Sequence, residues 1–267
     1  MPVKAYPYSF IYNDIEKVER YWKNFKPNID TILSYQEKWR ILVPIFEQIS
    51  SQNCVFIFIW NAVTNRFVYA VDNRNVVGYE PSLYLAGNGI DFSISNVHPD
   101  YLTSCLIMNQ KAFEYISPNK DEEQNKIIVN FDGMYKKSNG EYMHFLQQTV
   151  CIEYDGNGYG ILFLNYIQDI TYFKKDKTAN LAIRTNNDVK SWNFNFDNNC
   201  LEPIQSLSRQ EKKVLSYLEK GKSSKEIANE LFTSPHTIDT HRRNLLKKTN
   251  CLNTTGLVIY AKLVGLL

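Results

Sequence analysis

The 267-residue sequence has no apolar run long enough to cross a membrane. The longest such run, Cys54 to Trp60, is far shorter than the roughly 20 residues that a membrane helix needs. The N-terminus also lacks the charged and then apolar order of a signal peptide. We therefore expect a soluble, cytoplasmic protein with no membrane partner.

Paired cysteines and clustered histidines are missing as well. The five cysteines are widely separated and never spaced as C-x-x-C, which argues against a disulfide framework and a zinc site. His98, in the sequence VHPD, has no second histidine or cysteine nearby that would complete a haem or metal site. We interpret it as a turn residue at the start of a helix, and we predict no metal and no cofactor.

The common sequence patterns of enzymes are absent. No G-x-x-x-x-G-K-[ST], H-E-x-x-H or G-x-S-x-G occurs. Gly156 to Gly160, GNGYG, resembles a phosphate-binding loop only superficially, because it joins two predicted strands and no helix follows it. We therefore predict that the protein is not an enzyme.

Charge is divided unevenly along the chain. Residues 206–267 hold eleven Lys and Arg against five Asp and Glu, a net charge of +6, whereas residues 1–205 hold nineteen against twenty-three, a net charge of −4. The total of +2 conceals this asymmetry. A basic C-terminal module on a slightly acidic body is typical of a DNA-binding region that is joined to a sensory region.

The stretch from Ser223 to Lys248 predicts a short helix, a tight turn and a longer helix. Ser223 and the glutamate three residues later form a capping box that begins the first helix. Ser234 is the N-cap of the second helix, and Pro235 follows at the first helical position, where proline is tolerated best. The second helix has one apolar edge and one polar, basic edge, which is a form suited to the DNA major groove.

Two further helices flank this stretch. Ser208 and Glu211 form another capping box, and Gly221 can end the helix that they begin in a left-handed conformation. Downstream, Asn253 or Thr254 can cap a final helix. The sequence therefore predicts four short helices in the last sixty or so residues.

Three segments together resemble the LuxR-type (GerE-like) helix-turn-helix of bacterial transcription regulators: Leu207 to Glu211, Gly221 to Ala228 and Ser234 to His241. The similarity covers roughly residues 204–267. Thr254 and Gly256 stand where that family usually has an arginine and an acidic residue. The resemblance implies that the second helix approaches DNA through Thr237, Asp239, Thr240, Arg243 and Lys247.

The partner that this resemblance implies is double-stranded DNA, bound by a homodimer on a roughly two-fold site. We expect the interface to comprise Ser234, His236, Thr237, Asp239, Thr240, His241, Arg242, Arg243 and Lys247. His241 is expected to pack under the helix or touch a phosphate rather than read a base. Asp239 has two open roles, because its carboxylate can accept from a cytosine amino group or orient Arg243. For the basic residues the alternative is a solvated basic face.

From Cys54 onward the sequence predicts strands. Two early strands, Cys54 to Trp60 and Arg66 to Val71, precede a stretch of loops and short helices. Three later strands, at residues 126–136, 141–154 and 159–170, are separated by SNG and DGNG, which are hairpin signals. We predict a five-stranded antiparallel sheet with helices across one face.

This order of elements resembles a PAS domain over about residues 48–175. The matching motifs are Gly78-Tyr79, His98-Pro99-Asp100, Lys136 to Glu141 and Gln168 to Thr171. The resemblance implies a role in sensing or dimerisation and, as one hypothesis, an unknown small-molecule ligand. Cys105 lacks the motif around the reactive cysteine of flavin-binding PAS domains, so we interpret it as a small buried hydrophobe. A phosphate-receiving domain is disfavoured, since strands and helices do not alternate.

The whole chain is therefore predicted to be an α+β protein with four regions. These are a helical segment at residues 1–50, a PAS-like domain at 51–175, an asparagine-rich linker at 176–205 and an all-α helix-turn-helix domain at 206–267. Trp192, Phe194 and Phe196 alternate within the linker and are also compatible with one edge strand. The predicted function is sequence-specific transcription regulation. The alternative is an interaction module whose DNA-binding domain is controlled by a partner protein.

Overall fold

The computed structural model describes residues 35–116, 127–172, 174, 177–185, 189–204, 207–249, 251–263 and 266–267. Most of the predicted N-terminal helical segment, residues 1–34, lies outside the described residues. Among the described residues, no helix is both long and apolar enough to span a bilayer.

Helices and strands follow one another in two blocks. The first block contains α1 Tyr35–Asn53, β1 Phe56–Asn61, β2 Arg66–Val71, α2 Pro81–Leu85, α3 Gly89–Ser95, α4 Pro99–Ile116, β3 Ile128–Lys136, β4 Tyr142–Tyr154, β5 Gly160–Asp169, β6 Asn180–Arg184, β7 Val189–Asn195 and β8 Cys200–Pro203. The second block contains α5 Arg209–Glu219, α6 Ser224–Glu230, α7 Pro235–Thr249 and α8 Thr254–Leu263.

The strands of the first block form one antiparallel sheet in the order β2-β1-β5-β4-β3-β6-β7-β8. Its first five strands, with α2 to α4 between β2 and β3, have the predicted PAS-like arrangement. The predicted glycine turns lie where expected, because Gly140 and Gly158 adopt φ of +88° and +85° at the two later hairpins.

The described residues form eight strands rather than the predicted five, because the predicted linker supplies β6, β7 and β8. Asparagine-rich composition led us to expect a connector, but β6 pairs with the free edge of β3 from Phe131 opposite Leu181 to Ile128 opposite Arg184. Leu181 and Ile183 are thereby buried. Trp192 and Phe194 lie in β7, which is not an edge strand because β8 pairs with its far side.

The sheet carries helices on both faces, whereas helices on one face were predicted. On one face α2 and α4 contribute Tyr84, Tyr101 and Met108 to an aromatic-rich core. Successive strand residues point to opposite faces, and Ile57 and Ile59 of β1 therefore face the other way, where they pack against Phe46 of α1. The helix that precedes the sheet thus covers the opposite face.

His98 and Cys105 have structural roles. The backbone N–H of Asp100 donates to Nδ1 of His98 at 3.1 Å, which makes His98 a turn residue at the start of α4. Burial raises the pKa of the Cys105 thiol to about 12. A thiol with that pKa stays protonated at neutral pH, so Cys105 is a buried apolar side chain rather than a nucleophile.

The second block has a core of its own. It is built from buried residues of all four helices, including Val214, Ile227, Ile238, Leu245 and Leu257. A smaller cluster connects the two blocks, where Tyr260 and Leu266 pack against Leu146, Ile170 and Ala182 of the first block.

Candidate nucleic-acid interface

The beginning of each helix in the second block is fixed by a local side chain. Ser223 and Glu226 form the predicted capping box at α6, with the Ser223 N–H donating to Glu226 Oε2 at 2.8 Å. Hydrogen bonds from Ser223 hold the pKa of Glu226 below its ordinary value. At α7 the Thr237 N–H donates to Ser234 Oγ at 3.1 Å, and Pro235 is the first helical residue. These caps fix the residue at which each of the two helices starts.

Capping also fixes the outer helices. Ser208 and Glu211 form the predicted box at α5, and Gly221 follows that helix with φ of +74°. The Gly256 N–H donates to Asn253 Oδ1 at 2.8 Å, so Asn253 rather than Thr254 caps α8. The four predicted helices are therefore all present.

Helix α7 has a buried edge and an exposed edge. Ile238 and Leu245 are fully buried, and Thr249 is buried with its hydroxyl donating to the Leu245 carbonyl at 2.8 Å. His236, Thr237, Arg243 and Lys247 are exposed. The predicted division of the helix is confirmed, and the exposed edge is polar and basic.

Two cations on the exposed edge are available to a partner. Arg243 Nη2 donates to Thr240 Oγ1 at 3.2 Å, and that hydroxyl donates to the His236 carbonyl at 3.0 Å. The guanidinium is thus oriented along the helix surface without an acidic partner among the described residues. Lys247 likewise has no ion-pair partner among the residues that the structure describes. Both charges can be neutralised by phosphates or base edges.

Arg242 points in a different direction from its neighbour. It is half-buried, and its Nη1 donates to Ser224 Oγ of α6 while its Nη2 donates to Thr254 Oγ1 of α8, both at 2.8 Å. Ser224 Oγ in turn donates to Asp239 Oδ1 at 2.6 Å. Arg242 therefore connects three helices, and Thr254 accepts a hydrogen bond at the position where the resembling family usually has an arginine.

Asp239 does not orient Arg243, which was one of its two suggested roles, and the other role, accepting from a cytosine amino group, stays a prediction. Its carboxylate faces Ser224 of α6 rather than Arg243. His241 is half-buried on a different side of α7. A contact between His241 and a phosphate stays a prediction.

Lys248 is taken up by an ion pair inside the domain. Its Nζ lies 2.8 Å from Oε2 of Glu211, whose side chain is 5% exposed. Burial alone would raise the pKa of Glu211, but hydrogen bonds from Lys248 and Ser208 outweigh it, and the pKa lies below its ordinary value. The pair joins α5 to α7 and leaves Lys248 outside the exposed edge.

Sequence reasoning missed Phe232, which lies in the turn between α6 and α7. Its side chain is 97% exposed and its φ is +50°, a left-handed conformation that costs energy for a bulky residue. An aromatic residue two positions before the Ser234 cap was the available signal. Phe232 comes three residues before Pro235, the first residue of α7, and we add it to the candidate interface.

Comparison with protein families identifies this region. Residues 205–261 match the family described as "GerE: Bacterial regulatory proteins, luxR family". "Regulatory protein SdiA" of Escherichia coli is 37% identical over 71 residues, which cover 27% of this chain and 30% of that protein. "Oxygen regulatory protein NreC" of Staphylococcus carnosus is 36% identical over 64 residues, covering 24% and 30%. The chain thus spans about a third of the length of these curated relatives.

Solved structures align over longer segments at low identity. The Vibrio cholerae VqmA dimer, described among LuxR-type receptors, is 16% identical, covers 82% of this chain and 86% of its own, and has a TM-score of 0.29. A sensory box histidine kinase/response regulator from Burkholderia thailandensis is 16% identical, covers 48% and 85%, and has a TM-score of 0.35. TM-scores of this size do not establish a shared arrangement.

Proposed function

We propose that the LuxR-type helix-turn-helix domain at the C-terminus of this chain binds double-stranded DNA sequence-specifically, and that the chain is a bacterial transcription regulator. The observation that carries the proposal is the exposed edge of α7, where Arg243 and Lys247 have no acidic partner among the described residues. The matched relatives are named as regulators rather than as enzymes. Such a function places the protein in the bacterial cytoplasm.

The two ends of α7 would then have different tasks. At its N-terminus, Ser234, His236 and Thr237 lie beside backbone N–H groups, where the helix dipole favours a phosphate. One turn further along, Thr240 holds the Arg243 guanidinium in place for a base edge, and guanidinium groups bind guanine through two hydrogen bonds. Lys247 extends the contact to the DNA backbone.

Arg242 and Asp239 act indirectly in this proposal. Both side chains hydrogen-bond to Ser224, and they hold α7 at a fixed angle to α6. We propose that they position the exposed edge of α7 without reading bases. Such a role predicts that their loss weakens binding to every DNA sequence alike.

Selection of bound sequences from a random DNA pool, followed by mobility-shift titration, tests DNA binding. Arg243→Ala should weaken binding to the selected site by about 1–3 kcal/mol and relax preference at one base position. The matched control is Arg66→Ala, which removes an exposed arginine from the first block. Equal loss on selected and random DNA would make Arg243 a phosphate contact, and no selected motif at all would exclude sequence-specific binding.

We also propose that the regulator is a homodimer. Two copies of α7 on a two-fold site would contact half-sites about one helical turn of DNA apart. The symmetry and spacing of the selected sequences report this directly. Light scattering of the purified protein gives an independent measurement, and a monomer that binds a single half-site would contradict the proposal.

For the PAS-like region we propose ligand sensing. Three polar side chains interrupt its aromatic inner face: Thr149 donates to Asn165 Oδ1 at 2.7 Å, and Gln147 donates to the same atom at 3.0 Å. Gln147 and Thr149 are half-buried, so a small polar molecule would find donors and acceptors beside apolar walls. Mass spectrometry of the natively purified protein, with Asn165→Leu as the comparison, would reveal such a molecule.

The alternative is control by a partner protein. Leu83, Leu85 and Ile94, in or beside α2 and α3, are 43%, 45% and 41% exposed and form candidate contacts. If no small molecule copurifies and Asn165→Leu leaves DNA binding unchanged, partner control becomes the better explanation.

A further inference from the structure

A cleft separates the sheet of the first block from the helices of the second. Its volume is about 360 Å³. One wall comes from β7 and β8, where Trp192 and Pro203 are cross-strand neighbours. The other wall comes from α5, the C-terminal end of α7 and α8, together with Leu207 before α5 and Leu266 after α8. A molecule in this cleft would therefore contact both blocks at once.

The cleft combines apolar walls with uncompensated positive charge. Lys190, Lys212 and Lys248 line it. Lys248 is already paired with Glu211 at 2.8 Å. The ammonium of Lys190 lies on the opposite face of the sheet, 5.4 Å from the centroid of the Tyr115 ring of α4, whereas Lys212 is exposed and has no acidic partner among the described residues. Lys212 thus remains beside apolar surface without a carboxylate in the described part of the chain.

We infer that this interdomain cleft binds a small amphipathic carboxylate. Its apolar body would pack against Leu207 and Leu266, and its carboxylate would meet the ammonium group of Lys212. The volume lies at the small end of the roughly 300–1,000 Å³ that ligand pockets occupy. A solvated lysine needs no apolar wall, whereas an amphipathic anion uses both the charge and the wall.

This inference goes beyond the proposed function and does not depend on DNA binding. The cleft is also distinct from the inner-face cluster around Asn165, which lies within the first block. A ligand in the cleft would strengthen the contact between the two blocks, because both contribute walls. The thermal midpoint of the full chain should therefore rise when the cleft is occupied.

The test uses the full chain with 3-phenylpropanoate and its neutral isostere, 3-phenylpropanamide. Binding is measured by ligand-observed nuclear magnetic resonance and by the shift in thermal midpoint. We expect saturable binding of the carboxylate at concentrations of about 1 mM. The amide should bind about three- to fivefold more weakly, which is the size expected for a partly exposed charge pair.

Variants locate the site. Lys212→Met should lower carboxylate affinity about three- to fivefold and leave amide affinity unchanged. Ser191→Phe, which fills the cleft from β7, should abolish binding of both compounds. Lys225→Met removes an exposed lysine of α6 outside the cleft and should change nothing.

Three outcomes would overturn the inference: no saturable binding of the carboxylate, equal affinity for the carboxylate and the amide, or unchanged carboxylate affinity in Lys212→Met. Should Ser191→Phe fail to fold by circular dichroism, Lys212→Met alone decides, because it changes an exposed side chain. Loss of binding in Asn165→Leu with full binding in Lys212→Met would assign the ligand to the inner face instead.

Discussion

One buried charge pair in the first block and two exposed cations in the second show opposite uses of charged side chains. In the first block, Lys174 Nζ lies 2.6 Å from Asp132 Oδ1, and the two side chains are 8% and 0% exposed. Asn180 of β6 also donates to this carboxylate. In the second block Arg243 and Lys247 are exposed and have no acidic partner within the described residues. A charge enclosed by the fold joins strands to one another, whereas a charge kept at the surface remains available to a partner.

The largest expected effect comes from a variant that removes one half of the buried ion pair. Asp132→Ala leaves the Lys174 ammonium buried and uncompensated, which should lower the free energy of unfolding by about 3–5 kcal/mol. Urea denaturation measures the change. The matched control is Asp132→Leu combined with Lys174→Met, which removes both charges and should restore most of the loss. A single variant as stable as the parent would mean that water reaches Lys174.

Substitution of the two neighbouring arginines, Arg242 and Arg243, should change stability by smaller and unequal amounts. Arg242→Met removes hydrogen bonds to Ser224 and Thr254 and should lower the unfolding free energy by about 1.5–3 kcal/mol. Arg243→Met should leave stability almost unchanged. In mobility shifts, Arg242→Met should weaken binding to selected and random DNA equally, and the salt slope should fall only for a variant that removes a phosphate contact. Loss of base preference in Arg242→Met would contradict its positioning role.

A still smaller change in stability is expected at Phe232, in the turn before α7. Phe232→Gly relieves a left-handed backbone and should raise the unfolding free energy by about 1 kcal/mol. Phe232→Ala keeps the strained backbone and removes only the ring, so its stability should equal that of the parent. If the ring contacts DNA, both variants lose affinity to the same extent. Unchanged DNA affinity in both would remove Phe232 from the interface.

The smallest effect concerns pH and the half-enclosed pair of Glu211 and Lys248. Because the pKa of folded Glu211 lies below its ordinary value, its carboxylate stabilises the fold above the unfolded pKa. That contribution is lost as the pH falls through the folded pKa. Urea denaturation of Glu211→Gln and the parent at a series of pH values should give curves that converge in acid. Parallel curves would show that Glu211 does not titrate differently in the two states.

Sequence predicted the second block well because its signals are local. Three helices begin at a serine whose Oγ accepts from the backbone N–H three residues later: Ser208, Ser223 and Ser234. The start of each helix is therefore specified within one turn of sequence. The exposed edge of α7 followed from helical spacing alone. The hydrogen bonds from Arg242 to Ser224 and from Ser224 to Asp239 could not be predicted in this way, because they depend on the angle between two helices.

The first block was predicted only in part for the same reason. Its hairpins were found because glycine-containing turns join strands that are adjacent in sequence. The pairing of β6 with β3 joins residues about fifty positions apart, and no turn signal specifies that partner. Asp132, in the middle of a strand, gave no sign of its buried ion pair because Lys174 is distant in sequence.

The extension of the sheet changes where the chain leaves the first block for the second. Five strand-to-strand steps separate β5 from β8, and at about 4.8 Å a step the chain leaves the sheet roughly 24 Å to one side of β5. The second block does not hang free at this point, because Tyr260 and Leu266 pack back onto Leu146, Ile170 and Ala182. The two blocks are thus held together at two places, the end of β8 and this apolar cluster, and a rotation of one block against the other would have to open the cluster.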